Sequence, residues 1–439
     1  MLFGLELVSR LSDRRKRRYG ITLAKARDAL ITIVGGGAIG CAVAYFLAKA
    51  GYRDIQVLEA SELCARTSSQ AAGLVGQVRL SSERTRLAMH SVAFFSRLEE
   101  LTGVTPDWNQ CGSLRISLTP ERTSEHLAMA EVAKTCGLAV RFLESNELKE
   151  LLPTIELAKV HSALWCPTDG YLQPSSLVSA YVAGARSLGV TFATNTLVTE
   201  ISTVQNRITS ISTDLGDFST SMVINAAGPW AGAVANMVGL QLPIVPVRHE
   251  YFISEPVLGW HRDLPVLRIP DLGIYARAEG SAVLCGGWEA SAKGLDPRSV
   301  KATSTLCVEP DFDVLAGFHE SIASVIEGLN DLGVRSVFKG YPAFSPDGKF
   351  IVGPVGTVEG FVMAAGCNAH GVSGSAGLAE HVLESIGPNP SPYVLSLSPR
   401  RYLESPWDYS HARKLAQSVY ENYYALGASA QGGASRAKQ

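Results

Sequence analysis

"ALITIVGGGAIGCAVAYFLAKAGYRDIQVLEA", residues Ala29–Ala60, governs how the rest of the chain is read. Ile31–Val34 form a short apolar strand, and Gly35-Gly36-Gly37-Ala38-Ile39-Gly40 fits G-x-G-x-x-G. Cys41–Ala50 then have helical character, and Ile55–Leu58 make a second strand ending at Glu59. Each part has a physical task. Gly35 permits the tight turn, Gly37 lets backbone approach a pyrophosphate, and Gly40 lets the helix pack closely on the strand. The start of the helix, Ala38 and Ile39, faces the phosphates with unpaired N–H groups. Glu59 can accept hydrogen bonds from ribose hydroxyls and would repel a 2′-phosphate. Strand, glycine turn, helix and an acid about twenty residues later predict a dinucleotide-binding fold, with NAD and FAD both open at this point.

The 439 residues, 46% of them hydrophobic, can bury a large core and suggest two interleaved domains. A net charge of -2 provides no global field for nucleic acid or anionic membrane. No apolar run approaches the roughly 18 residues of a membrane span. The eight cysteines are scattered, without C-x-x-C or metal-ligand spacing. Reduced thiols, a cytoplasmic location and no metal are therefore expected. Arg14, Arg15, Lys16, Arg17 and Arg18 follow an apolar stretch, the reverse of the order in a secretory signal. Residues 1–28 are read as a solvated or partner-contacting basic extension.

Three later segments favour FAD. "NTLVTEISTVQNRITSISTDLGDFSTSMVINAAGPW" reads as three short β-branched runs around turns, then an apolar strand, Met222 to Asn225, that meets Ala226-Ala227-Gly228. A small meander followed by a return strand is the layout of FAD-binding two-domain oxidoreductases, whereas nicotinamide domains usually continue in βα units. Val198, Ala227 and Gly228 are its cofactor-contact candidates. "GFVMAAGCNAHGVSGSAGLAEHVLESI" gives a strand, Phe361 to Ala364, a bend from Gly366 to Gly371, and a helix from about Ser373 to Ile386. The positive end of that helix would stabilise charge on a reduced flavin, with Gly366, His370, Gly371 and Val372 beside it. Between Glu59 and the meander lie Arg66, Thr67, Ser68 and Ser69, then Gln70-Ala71-Ala72-Gly73, small enough for backbone amides to approach a flat ring.

The chain resembles FAD-dependent amine oxidoreductases of the D-amino-acid oxidase superfamily, and within it the FAD modules of dimethylglycine and sarcosine dehydrogenases. The resemblance rests on "VGGGAIG", "TSSQAAGLVGQVR", "DGYLQPSSLVSAYVAGARSLGV", "NAAGPWA", "PVRHEYFIS" and "FSPDGKFIVGPV…GFVMAAGCNAHG", in the family's order from about Leu30 to Ile386. "WDYSHARKLAQSVYENYYAL" is similar to the end of the module. The tetrahydrofolate-binding region of many relatives has no counterpart before Gln439, so one-carbon transfer to folate would need a separate subunit.

In covalent members a histidine attaches the flavin; the matching position here is Gln70, whose amide is a poor nucleophile. The resemblance therefore implies non-covalent FAD. It also implies oxidation of a secondary or tertiary amine such as sarcosine or dimethylglycine. Hydride leaves the carbon beside nitrogen for flavin N5, and the resulting imine hydrolyses to amine plus aldehyde. His249, in "PVRHEYF", matches a histidine that accepts or relays the amine proton, and imidazole titrates near neutrality. Tyr275, in "GIYARAEG", matches a tyrosine that orients the substrate. His370 falls at the bend before the late helix, where positioning is expected of it. A lysine that small-substrate sarcosine oxidases use for the substrate carboxylate is replaced here by Ser373. Arg248, Arg277 and Lys349 are unranked alternatives for that charge. Leu284 and Cys285 occupy the neighbourhood of the oxygen-reactive lysine, which favours a dehydrogenase passing electrons to a protein or quinone.

The expected architecture is α/β, a Rossmann-like FAD domain with a three-stranded meander plus an α+β substrate domain. FAD-domain segments are expected at 29–110, 164–245 and 335–390, substrate-domain segments at 111–163 and 246–334, and a helical extension at 391–439. Two alternatives stay open: a D-amino-acid or proline-like imino-acid dehydrogenase acting as a subunit of an oligomeric complex, and a non-enzymatic regulatory relative.

Overall fold

The computed structural model describes residues 29–307 and 309–426; the Arg14–Arg18 cluster and the rest of the expected N-terminal extension lie outside the described residues. Ala29–Val34 sits at the centre of the first sheet, paired in parallel with Gly216–Asn225 on one side and Ile55–Leu58 on the other. Phe361–Ala365 and Thr191–Ala193 extend the parallel pairing outward, and Ile351–Pro354 closes one edge antiparallel. Four of these five parallel strands therefore carry buried, β-branched or aliphatic runs, as a sheet covered on both faces requires. The helix Ala38–Lys49 lies across it, packed between the helices Pro174–Ser187 and Ser375–Ser385. Residues Ala38 to Ala48 are all buried, which is why this helix is apolar on every side.

The meander is present, with one difference from the sequence reading. Val198–Val204 and Arg207–Thr213 pair antiparallel, and Arg207–Thr213 pairs with Gly216–Asn225. The last of these is a single ten-residue strand. Its first residues close the meander, and Met222–Asn225 enter the parallel sheet without an intervening turn. No glycine, proline or asparagine interrupts Asp217–Ile224, so nothing in the chain breaks the extended backbone there.

The second sheet runs Val334–Gly340, His249–Pro256, Ala282–Gly287, Ile274–Glu279, Val266–Ile269, Ser113–Ser117, Ser162–Cys166 and the two-residue Arg141–Phe142. Pairing carries it to Cys166 and Gly340, a few residues past the boundaries at 163 and 334 read from the sequence. Side chains alternate across it. Ile274, Ala276 and Ala278 join the core beneath the helix Phe312–Ala323, while Tyr275 and Tyr251 occupy the opposite face. The helix Tyr409–Glu421, capped by Asp408, buries Tyr420 against Phe344 and Val247. Tyr423 and Tyr424 follow it back over the second sheet.

Gly40 is where helix and strand meet most closely. A Cβ there would lie 1.9 Å from the carbonyl oxygen of Gly35, and one on Gly35, itself at φ +112°, would lie 2.5 Å from that of Ala226. Backbone on both sides leaves no flexible atom to move. Gly40→Ala is expected to cost about 3 kcal/mol or more and to empty the protein of flavin. Gly317→Ala, in the helix Phe312–Ala323 with nothing within 4 Å, is its control and is expected to be neutral or stabilising. Bound-flavin content and melting temperature of the two variants check both statements.

Candidate active site

A cavity of about 450 Å³ starts at the glycine turn and ends between the two domains. At its first end the helix Ala38–Lys49 opens on Gly37 with no side-chain cap and no acid in its first turn. The first of its N–H groups, that of Ala38, is taken by a side chain, and those that follow are left for an anion, the condition a pyrophosphate meets. Ser68 Oγ accepts from Ala38 N at 3.0 Å and fixes the neighbouring loop against that turn. Glu59 holds its carboxylate in place by accepting from Gly36 N at 2.7 Å and Ser61 N at 2.8 Å. Each oxygen keeps a second lone pair, and Glu59 lines the cavity, as a ribose diol requires. This donor and acceptor set fits the adenosine diphosphate half of FAD.

The bare stretch Ser68–Leu74 forms the next wall. Gly73 stands at φ +76° with Leu172 O only 2.1 Å from where its Cβ would be. Tyr251 donates to Ala71 O at 3.4 Å and Arg277 Nε to Ala72 O at 2.7 Å, so the second sheet anchors this loop. Opposite it, Gly366, Asn368 and Ala369 all adopt left-handed φ, a costly bend for the last two. Asn368 pins it by donating to Gly366 O at 2.7 Å and accepting from Ser345 N at 3.0 Å. The bend turns the segment from Ala369 to Ser373 into the cavity. The late helix starts at Ser375, two residues beyond the expected start, and Gly377 N is already taken by Ser91 Oγ. Backbone before the helix, rather than its first turn, therefore meets the cavity.

At the far end two histidines face in. His249 Nε2 lies 2.8 Å from the Tyr275 hydroxyl and Nδ1 2.9 Å from that of Tyr420. A neutral imidazole has one donor and one acceptor, so one tyrosine donates to the ring and the other accepts from it. Burial pushes His249 down to about 4 and Tyr275 well above its ordinary value. His370 Nδ1 is 2.7 Å from Asn368 O, an acceptor only, so the proton sits on Nδ1. Its Nε2 then accepts from Tyr423 at 3.1 Å. Burial, reinforced by Arg79, Arg84 and Arg268, pushes His370 down to about 3. Trp288 stacks on Tyr423 with ring centres 3.8 Å apart, completing an aromatic wall.

Most residues singled out in the sequence line this cavity. Gly35, Gly37, Ala38 and Ile39 do so beside Glu59, and Arg66, Ser68, Gln70, Ala72 and Gly73 follow them. Val198, Ala227 and Gly228 line it from the meander side, and His249, Tyr275, His370, Gly371 and Val372 from the other. Three residues do not. Gly40 packs helix on strand, Ser69 turns back to donate to Arg66 O at 2.8 Å, and Gly366 packs on Ile351. Nor do Leu284 and Cys285, both buried in the second sheet.

None of the three basic residues weighed for a substrate carboxylate reaches the cavity. Arg248 is saturated by Glu250, Glu289 and Asp311 at 3.1, 2.6 and 3.0 Å. Arg277 pairs with Glu279 at 2.6 Å besides holding Ala72. Lys349 lies outside the lining. The guanidiniums that do line it are Arg66 near the loop and Arg79 and Arg268 at the far end. Sequence reasoning missed Arg79 and Arg268, although Arg79 ends the quoted "TSSQAAGLVGQVR". It also missed Tyr420, Tyr423 and Trp288, which no local pattern distinguishes from core aromatics. Among the described residues no lysine lines the cavity, no cluster of His, Cys, Asp and Glu could hold a metal, and no helix is long and apolar enough to cross a membrane.

Comparison with known proteins agrees with this geometry. The chain is 30% identical to mitochondrial dimethylglycine dehydrogenase of Rattus norvegicus over 384 residues, 84% of this chain and 44% of the relative. It is 29% identical to mitochondrial sarcosine dehydrogenase of Mus musculus over 90% of this chain and 43% of the relative. It thus spans less than half the length of these relatives. Among solved structures, L-proline dehydrogenase from P. horikoshii superposes with a TM-score of 0.78 at 23% identity, covering 86% of this chain and 98% of that one, and shares its fold. The family model DAO, described as FAD dependent oxidoreductase, matches residues 31–385. With a glycine turn, acid and flavin-sized cavity in place, the chain belongs to that family of FAD-dependent oxidoreductases.

Proposed function

We propose that this protein oxidises a secondary or tertiary amine that carries a carboxylate, an N-alkylated amino acid of the sarcosine or dimethylglycine kind. The observation that carries the reading is one cavity joining the dinucleotide cradle to a neutral His249–Tyr275 pair and to two cationic guanidiniums. FAD supplies the two-electron acceptor. The substrate C–H beside nitrogen loses hydrogen and two electrons, the nitrogen becomes iminium, and water then cleaves the C–N bond to give amine and aldehyde.

The amine reacts only with its lone pair free. Burial and the nearby charges of Arg79 and Arg268 both disfavour the ammonium form, so the site selects neutral amine. Both nitrogens of His249 are taken by Tyr275 and Tyr420, so the Tyr275 hydroxyl meets the amine, and the proton of an arriving ammonium passes through His249 toward Tyr420. A His249 held down to about 4 is a relay rather than a proton store.

FAD is held non-covalently in this reading. Gln70 lines the cavity where a nucleophile would be needed, and burial raises the Cys64 thiol to about 11 and also raises that of Cys367. Neither is a ready thiolate at neutral pH. Electrons leave to a protein or quinone acceptor, as part of a larger assembly. The eight free thiols suit the cytoplasm we assign to it.

Anaerobic titration with sarcosine, dimethylglycine, proline and D-alanine tests the proposal. Bleaching of the flavin band by the N-methylated glycines is expected. Bleaching by proline or D-alanine alone would replace the substrate class, and a band bleached neither by any of these amines nor by iminodiacetate would refute amine oxidation.

A further inference from the structure

The far end of the cavity holds more positive charge than one carboxylate neutralises. Arg268 and Arg115 are direct register partners on adjacent strands, Val266–Ile269 and Ser113–Ser117. Like charges placed opposite each other in a sheet destabilise it. Arg79 joins them: Arg79, Arg115 and Arg268 ring a small void of about 10 Å³ behind the main cavity, with Ser113 and Asp169. Arg79 and Arg268 border both spaces. Arg115 is only 9% exposed, so its charge is not dispersed by solvent.

Compensation is thin. None of the ion pairs within 4 Å among the described residues includes Arg79, Arg115 or Arg268. The one carboxylate at the void, Asp169, forms no ion pair within 4 Å with any of the three, although its charge acts on Arg79 and Arg268. It accepts from Gln77 N at 2.9 Å and Gln77 Nε2 at 2.8 Å through Oδ1, and from Ser113 Oγ at 2.6 Å through Oδ2. Tyr424 offers its hydroxyl to Arg268 at 3.5 Å and its ring to Arg115, neither a full charge. Burial pushes Arg115 down to about 10 and also lowers Arg79, whereas Tyr424, Tyr423 and Asp169 hold Arg268 above its ordinary value against the same burial. Three cations against one carboxylate leave about two positive charges around this void, with Arg115 buried and Arg79 and Arg268 half-buried, a costly arrangement unless a ligand completes it.

We propose that the substrate is a dianion: an amine bearing two carboxylates, both bound at the Arg79–Arg268 end, with Arg115 as a positioning residue that raises the positive potential from behind. This rests on the amine reading above and narrows it. The row of register partners Gly286, Tyr275, Arg268 and Arg115 crosses the sheet from the tyrosine that faces the amine to the guanidiniums. Gly286 clears that row, since a Cβ on it would come within 2.5 Å of the Tyr275 hydroxyl.

The test separates the two claims. The flavin-loaded protein is titrated with thiodiacetate and with (methylthio)acetate, thioethers that present two and one carboxylate around an unreactive centre, and binding is read from the flavin spectrum. Thiodiacetate is expected to bind about tenfold more tightly or better. Arg115→Met should bring the pair to within about twofold, and Arg115→Lys should restore the difference. Equal affinity of the two thioethers for the unaltered protein overturns the dianion inference, and so does a preference that Arg115→Met leaves intact. Anaerobic bleaching by iminodiacetate and sarcosine reports on the amine reading alone. A protein that prefers thiodiacetate yet is bleached by neither amine keeps the subsite and loses that reading.

Discussion

His249→Ala is expected to retain its flavin spectrum and to lose amine-dependent flavin reduction by about 10²–10⁴-fold. The imidazole lines the cavity but lies at the substrate end, away from Glu59, Ser68 and the glycine turn, so its removal leaves the cofactor cradle whole. What is lost is the link between the Tyr275 and Tyr420 hydroxyls. Tyr275 then has no partner to pass a proton to, and its hydroxyl loses the contact that fixes it toward the amine. The pH dependence supplies a second readout. Because His249 is pushed down to about 4, it stays neutral across the neutral range, and the unaltered protein should show no limb near pH 6.5. The rate should rise with pH as the amine loses its own proton. Stopped-flow reduction at several pH values decides the matter. A variant that reduces at an unchanged rate would remove His249 from the reaction.

Acid should unfold the protein steeply, the second large effect. Burial lowers four histidines from 6.5, His381 among them, and three of them far: His249 to about 4, His370 to about 3 and His126 to about 2. The folded state holds fewer protons than the unfolded state below pH 6.5, so their stabilisation is complete above that value. It is lost progressively as pH falls toward the folded-state values. At pH 5 each of these last three costs about 2 kcal/mol, about 6 kcal/mol together. His126 contributes through isolation, since neither ring nitrogen has a hydrogen-bond partner and Arg115 and Arg122 repel its charged form. His126→Leu should therefore remove about a third of the acid sensitivity while leaving stability at pH 7 unchanged or higher. Melting temperatures between pH 7.5 and 4.5 show whether the slope has this size and whether the variant flattens it.

The cofactor half was legible because its signals are local. Gly35, Gly37, Gly40 and Glu59 lie within one strand–helix–strand unit, where spacing fixes geometry. Gly73 and Gly371 were readable for the same reason, as small residues at bends. The substrate half was not, because it is assembled across strands that sequence distance does not pair. Arg268 meets Arg115 only through a register between positions far apart in the chain, and an arginine without an ion-pair partner looks like any surface arginine in a string of letters. Arg248 and Arg277 mislead for the complementary reason. They are as buried as active-site residues, but carboxylates and carbonyl oxygens already occupy them. Ser69 failed through rotation, its neighbour Ser68 pointing to the helix while it points back.

The tyrosines at the end of the described chain divide the labour of the site along the sequence. Tyr420, Tyr423 and Tyr424 contact His249, His370 and Arg268, and Arg122 clasps the carbonyl of Tyr424 from within the protein. Every cofactor contact described above lies at or before Ser373. The nucleotide cradle and the wall that faces the substrate are therefore supplied by separate stretches of the chain, some fifty residues apart. A substitution in the last stretch reaches the substrate end without touching Gly35, Glu59 or Ser68, so selectivity can drift while the cofactor cradle stays as it is.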